Sequence, residues 1–428
     1  MRIVQVVVIA LFMAVAPALA GDWPQFRGAD RDGRAAETEL LEAWPEGGPK
    51  LLWQSSGLGS GYSSLAVAGD GIFTMGDVDG KQQVIAVSRK DGSPLWKTAI
   101  GPAWEDRYLG SRATPTVNAG YVYALGTEGD LVCLKASDGS QIWKRNLVKD
   151  FGGVMMEIQG TDWKFSESPL VHGDRVIVTP GSSTAALVAL DKSTGKELWR
   201  TAISDLGEKG GDGAGYSSVV VSNAAGVEQY VQLLGRGVIG VEVATGKLLW
   251  SYNRVANEIA NIATPLVFGD HVFVSTGYGT GSALLKIESG EGGLTAKELY
   301  FLDADTMQNH HGGLVRDGDQ IYTGTGHNKG FPLALHWKSG EVAWGPIRNE
   351  GKSSAAIAFA DGHLYFRYQD GLMVLIQATP EGYVERGSFQ IPDVKRESWS
   401  HPVIADGLLY LKEQQKLYVY DLRAGASK

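Results

Sequence analysis

The sequence predicts an all-β fold: an eight-bladed β-propeller of four-stranded antiparallel blades, its ring closed by an N-terminal strand. Three observations predict it. Five segments end in Gly-x-x-x-Trp, at Gly92–Trp96, Gly139–Trp143, Gly195–Trp199, Gly246–Trp250 and Gly340–Trp344. Ten residues before each tryptophan stands a small residue, Ala86, Cys133, Ala189, Gly240 or Ala334, set among aliphatic neighbours. Upstream, Ala-Thr-Pro-Thr-Val at 113–117, Glu-Ser-Pro-Leu-Val at 167–171 and Ala-Thr-Pro-Leu-Val at 263–267 open a turn and a second β-branched run. A four-stranded unit of ~40–50 residues repeated in this way builds a propeller, in which each blade buries both faces against its neighbours.

The chain opens with a targeting segment over residues 1–20. Arg2 supplies the positive charge, Ile3 to Val15 the short apolar run, and Ala18-Leu19-Ala20 a small-x-small cleavage site. Gly21 stands where a lipoprotein would need cysteine. The mature protein is therefore expected in the periplasm or secreted, soluble, with no lipid anchor and no transmembrane segment after cleavage. Residues 21–50, rich in Gly, Pro and charge, read as an N-terminal arm across the surface, and 51–428 as the propeller.

Inner strands are expected to start near Ser63, Ala113, Glu167, Tyr216, Ala263, His311, Ala355 and Ser400, which gives eight blades. The Gly of each repeat turn is suited to positive φ. The fifth repeat carries Tyr300 near the Trp position, and the seventh is degenerate. The eighth ends about one strand short. Leu51-Leu52-Trp53-Gln54 supplies that strand and a spare Trp, so residues near 51–56 are expected to pair with residues near 417–422 and remove an open edge.

A net charge of −9 argues against nucleic acid or anionic lipid as the main partner. One cysteine, Cys133, excludes an intrachain disulfide, and its place in the repeat marks it as a packing residue. No hydrolase, zinc-protease or phosphate-loop motif is present. Asp77-x-Asp79-Gly80 and Asp30-x-Asp32-Gly33 lack the further ligands of a calcium loop and read as turns. His310-His311-Gly312-Gly313 is the most unusual local sequence. A blade packing role for its histidines outweighs a metal site, while contact with a ligand stays open. Propeller geometry brings the starts of the inner strands together at the channel mouth. The candidate ligand-binding set there is Tyr62, Arg112, Glu167, Tyr216, Asn261, His310, His311 and His401, with Ser354 beside them; Arg112 and Glu167 alternatively pair with each other. No catalytic and no metal-ligating residue is assigned.

The run Leu-x-Ala-Leu-Asp-x-x-Thr-Gly-Lys-Glu-Leu-Trp at 187–199 resembles the repeat of the pyrroloquinoline quinone (PQQ) propeller superfamily. Trp23-Pro24-Gln25-Phe26-Arg27-Gly28 resembles the start of its exported members. The resemblance covers nearly the whole mature chain and implies the propeller fold. The family includes PQQ-dependent alcohol dehydrogenases and the outer-membrane assembly propeller (BamB-like), so the resemblance leaves two functions open. One is a non-catalytic binding or assembly scaffold with no cofactor, partnered by other envelope or secreted proteins or by a small ligand. The alternative is an oxidoreductase holding PQQ with calcium in the channel. The family's dehydrogenases often carry an adjacent cysteine pair and an acidic calcium-ligand set, neither of which is found here. The scaffold reading is therefore preferred.

Overall fold

The computed structural model describes residues 21–158 and 161–425. The targeting segment read at 1–20 lies outside the described residues. Eight four-stranded antiparallel sheets form the ring. Blade 1 is representative: Ala66–Ala68, Gly71–Val78, Lys81–Ser88 and Pro94–Pro102 run from the channel outward. The inner strands of blades 2 to 8 are Thr116–Asn118, Leu170–His172, Val220–Ser222, Leu266–Phe268, Leu314–Asp317, Ala355–Ala360 and Val403–Ala405. Lys50–Ser56 is the outer strand of blade 8, paired with Lys416–Asp421 from Lys50↔Asp421 to Ser56↔Lys416. The ring is closed as the sequence predicts, and no blade edge is left open there.

The ten-residue spacing has a direct cause. Each small residue sits opposite its own tryptophan across the outer hairpin: Ala86↔Trp96, Cys133↔Trp143, Ala189↔Trp199, Gly240↔Trp250 and Ala334↔Trp344. A bulge follows the small residue in all five. The indole needs the space: a Cβ on Gly240 would lie 2.1 Å from Trp250 Nε1. The indoles then reach across to the next blade. Trp96 Nε1 donates to the Ala136 carbonyl at 2.9 Å, Trp143 Nε1 to Lys192 at 2.9 Å, Trp199 Nε1 to Val243 at 3.1 Å and Trp344 Nε1 to Thr379 at 2.7 Å. Beneath Trp96, Trp143 and Trp199 lie the turn glycines of the following blades, Gly139, Gly195 and Gly246. Those glycines are thus required twice, for positive φ and because a Cβ would strike the neighbouring indole. Trp53 lies on Gly92 in the same way, so the closing strand carries the blade-to-blade contact as well as the hydrogen bonds. In blade 5 the role passes to Tyr300, which packs on Gly340 and donates from its hydroxyl to the Trp337 carbonyl at 2.6 Å.

A second lacing runs around the channel. The amide of Ser64 donates to Thr114 Oγ1, Thr114 to Ser168 Oγ, Ser168 to Ser218 Oγ and Ser218 to Thr264 Oγ1, at 2.9–3.4 Å. Three of the four acceptors, Thr114, Ser168 and Thr264, are the hydroxyl residues of the Ala-Thr-Pro and Glu-Ser-Pro signatures, and Ser218 takes the same place in blade 4. Each satisfies an amide at the start of the adjacent inner strand, where the ladder has not yet begun.

Residues 21–50 depart from the surface arm expected of them. Trp23 exchanges backbone hydrogen bonds with Val67, and its side chain is 2 % exposed. Arg27 and Arg31, each 2 % exposed, enter the ring. Arg31 donates to the carbonyls of Ser168, Pro169 and Val219, tying blades 3 and 4. Arg27 donates to the carbonyls of Arg31, Asp32 and Leu314, reaching blade 6. Farther along, Trp44 stands in for the tryptophan that blade 7 lacks. Gly387 occupies that place opposite Leu375, and Trp44 lies against it. The Trp44 and Tyr365 ring centroids are 5.9 Å apart, against 6.1 Å for Trp143–Tyr123 and for Trp344–Tyr322 in blades 2 and 6. A charged, glycine-rich segment is buried here because the inner-strand carbonyls accept its guanidinium protons.

Candidate ligand site at the channel mouth

The arm enters the channel from the end where the inner strands finish. At the other end, above Phe26 and Arg27, a cavity of about 260 Å³ remains. Six of the eight sequence-predicted residues line it: Tyr62, Arg112, Tyr216, His310, His311 and His401. They arrive from residues before blades 1, 2, 4, 6 and 8, which is why they are remote in sequence. Glu167 and Asn261 are not among the lining residues. The Glu167 carboxylate is turned into the blade and accepts from the Thr179 amide and from Gln232 Nε2. Burial pushes it up to about 7, with the Arg31 charge opposing. Asn261 Nδ2 donates to the Gly235 carbonyl at 2.7 Å and its Oδ1 accepts from the Asn257 amide at 3.1 Å. Both are braces of the wall, since a buried polar group is satisfied by its nearest backbone.

Residues the strand-start rule did not reach complete the walls: Phe26, Tyr108, Trp163, Tyr278, Glu397 and Trp399. Trp399 lies 4.7 Å from Tyr62, 5.0 Å from Tyr108 and 5.1 Å from His311, ring centre to ring centre. Trp163 faces Tyr216 at 5.6 Å. Tyr62 donates its hydroxyl to Glu397 at 3.1 Å, and Arg112 donates to the carbonyls of Tyr108 and Gly110. The long 102–112 and 150–166 segments contribute Tyr108, Arg112 and Trp163, so their length serves the rim of this cavity.

The histidines are held neutral. His310 bonds Ser354 Oγ through Nδ1 at 2.6 Å and Tyr278 through Nε2 at 3.1 Å. Burial, followed by the neighbouring His311 and His327, drives its pKa far below the ordinary histidine value. Burial lowers His311 to about 4 and His401 to about 3, the Arg27 guanidinium adding to the effect on His401. His401 Nε2–H donates to the His311 carbonyl at 3.2 Å, which leaves Nδ1 as an acceptor. Three buried nitrogens around the cavity have no hydrogen-bond partner: Arg27 Nη1, His311 Nε2 and His401 Nδ1. Gly312 and Gly313 follow the histidine pair because a Cβ at 312 would strike the Ala355 carbonyl and one at 313 would lie 2.0 Å from Arg27 Nη1. Among the described residues, no three His, Cys, Asp or Glu side chains converge as metal ligands.

The fold and this mouth define the chain as an eight-bladed quinoprotein-type propeller. Residues 80–345 match the family described as outer membrane protein assembly factor BamB, and the chain belongs to that family. The chain is similar to BamB of Kangiella koreensis, 26% identical over 229 residues, covering 51% of this chain and 49% of that protein. It is also similar to the 1-butanol dehydrogenase (quinone) of Thauera butanivorans, 27% identical over 112 residues, covering 26% of this chain and 16% of that one. The chain thus spans about half or less of the length of these curated relatives. Among solved structures, the quinohemoprotein alcohol dehydrogenase of Comamonas testosteroni superposes with a TM-score of 0.65 at 12% identity, over 96% of this chain and 82% of that one. That likeness is one of fold. No helix among the described residues is long and apolar enough to cross a membrane.

Proposed function

We propose that this protein is an exported, non-catalytic binding propeller of the envelope, which holds a small ligand at the channel mouth and offers its ring to other envelope or secreted proteins. The observation that carries the ligand reading is the cavity itself. It is closed below by the chain's own N-terminal segment and walled by aromatic rings, with polar side chains converging from five blades. Family membership supports the scaffold side of the reading.

The second reading, a PQQ-dependent oxidoreductase with calcium, is favoured by the dehydrogenase relatives. The residues present do not fit that pair. Calcium takes six to eight oxygen ligands, several of them carboxylates. Among the described residues, Glu397 is the single carboxylate lining the cavity, and it is bonded to Tyr62. Cys133 is buried opposite Trp143 in blade 2 and does not line the site. Protein supplied with PQQ and calcium is expected neither to turn over primary alcohols or sugars with a dye acceptor nor to retain the quinone stoichiometrically. Turnover that requires both PQQ and calcium overturns the preference.

A further inference from the structure

We propose that the opposite, arm-side mouth of the channel docks, across blades 3 to 5, an extended segment of a partner polypeptide that carries a basic side chain. This rests on the partner-binding half of the reading above and specifies the surface and the segment.

Each inner strand has one edge in its blade and one toward the channel, so alternate residues present their N–H and C=O inward. On one side of the ring the arm takes up these groups. Trp23 exchanges backbone hydrogen bonds with Val67 of blade 1 at 2.8 and 2.9 Å, and the Pro24 carbonyl accepts from the Val117 amide of blade 2 at 2.8 Å. Arg34 Nη1 donates to the Arg316 carbonyl of blade 6. In blade 7, Phe359 donates to the Gly33 carbonyl and accepts from the Ala35 amide, both at 2.8 Å. Val171, Val221 and Val267 hold the same place in blades 3, 4 and 5, opposite Val176, Tyr230 and Val272. Two residues earlier on the same edge, Pro169 and Val219 turn their carbonyls to Arg31, which fixes the direction. Among the described residues, no hydrogen bond reaches the channel-side main chain of these three valines. They are half-buried, where Val67 is 0 % and Phe359 5 % exposed, and they line a cavity of about 390 Å³. Ile404 of blade 8 also lacks such a bond, but at 1 % exposed it is sealed in.

An open strand edge takes another extended backbone. The arm shows the form, since its consecutive residues Trp23 and Pro24 serve the neighbouring blades 1 and 2. Between Gln25 and Arg31 the arm turns on itself, Gly28 donating to Gln25 at 3.1 Å and Arg31 to Gly28 at 3.2 Å, and leaves the next three strands uncovered. A short extended segment laid across them continues the same pattern. Charge selects the segment. Asp30 and Asp32 border the cavity, and neither carboxylate forms an ion pair among the described residues. Arg31, the cation beside them, directs its guanidinium to carbonyls of blades 3 and 4. Burial holds the Asp32 carboxyl above its ordinary value, although the Arg34 amide and the Arg27 charge oppose it. A lysine or arginine of the partner supplies the missing counter-charge.

The test is isothermal titration calorimetry and amide hydrogen exchange on the full mature chain with three end-blocked pentapeptides: Val-Lys-Val-Lys-Val, Val-Glu-Val-Glu-Val, and the lysine peptide with its central amide N-methylated. The lysine peptide is expected to bind about tenfold or more tightly than the glutamate peptide. N-methylation, which deletes one backbone donor, is expected to weaken it about threefold to tenfold. With the lysine peptide bound, exchange is expected to slow over 169–172, 219–222 and 265–268, and to stay unchanged over 66–68 and 358–360, which the arm already covers. Val221→Pro removes a channel-facing N–H and no ladder bond, and is expected to weaken the lysine peptide by a similar factor; Pro169 and Pro265 already stand on this edge. Asp30→Asn combined with Asp32→Asn is expected to bring the lysine and glutamate peptides within about threefold. The N-methyl peptide makes the backbone deletion from the ligand side, so the test survives a variant that misfolds. No binding of the lysine peptide, equal binding of the lysine and glutamate peptides, or protection confined to the outer strands overturns the proposal. Protection of the three strands on raising protein concentration without peptide would assign the face to a second copy and overturn it as well. The partner-binding reading falls on a different result, a bare monomer in envelope extracts of the native host.

Discussion

Removing residues 21–56 is expected to prevent the propeller from forming a stable monomer. Three separate losses coincide. The outer strand of blade 8 disappears, exposing Lys416–Asp421 as an unpaired edge. Trp53, the ring-closing contact on Gly92, goes with it. The channel loses Arg27 and Arg31, so the carbonyls of Ser168, Pro169, Val219 and Leu314 lose buried donors. Blade 7 loses Trp44, whose truncation alone should cost ~3–5 kcal/mol, since it is 6 % exposed and packs on Tyr365 and Phe389. Size-exclusion chromatography and thermal melting decide the matter. Trp44→Ala should melt clearly below the intact chain, and the deletion should aggregate or lack a cooperative transition. A deletion variant that melts with the intact chain would show that the arm is dispensable.

Acid should destabilise the fold well above the carboxylate range. His310, His311 and His401 have folded pKa values depressed below the unfolded value of 6.5. Their stabilising contribution is complete above about pH 6.5. It is lost as pH falls through 6.5 toward the folded values, because the unfolded chain takes up the protons first. Glu167 works in the opposite sense. Its folded value is raised to about 7 from 4.5, so its contribution is complete below 4.5 and is lost as pH rises toward 7. The imidazoles outnumber the opposing Glu167 carboxyl, so stability should fall as pH falls between about pH 6 and 4.5. Guanidinium unfolding midpoints measured across pH 7 to 4.5 should fall steadily, and His401→Gln should flatten the slope. Midpoints independent of pH over this range would mean that these imidazoles are solvated or charged in the fold.

The repeat, the blade number and the ring closure were legible because the tryptophan and its opposed small residue are set by local hairpin geometry. That geometry leaves the same mark at 86/96, 133/143, 189/199, 240/250 and 334/344. The channel-mouth set was partly legible for the same reason. Strand starts converge in any propeller, and Tyr62, Arg112, Tyr216, His310, His311 and His401 follow from that rule alone. The rule carries no information on which way a side chain turns, so Glu167 and Asn261 were placed with the others although each is held by neighbouring backbone and amide groups. Phe26, Arg27 and Arg31 left no periodic mark. Their burial depends on carbonyls at the ends of inner strands over a hundred residues away, and a run of Gly, Asp and Arg reads locally as solvated. Trp44 was the missed signal. An unassigned tryptophan and a blade lacking one were both visible in the sequence, as Trp53 and blade 8 were, yet only the latter pair was joined.

The most direct test of a ligand-holding mouth is native mass spectrometry of protein purified from its own host, run beside a Ser166→Trp variant, which adds bulk at a lining position whose hydroxyl makes no hydrogen bond. An added small-molecule mass is expected on the folded wild type, released on unfolding and absent from the filled variant. A folded wild type at the bare chain mass, or an adduct of equal occupancy in both proteins, would contradict it.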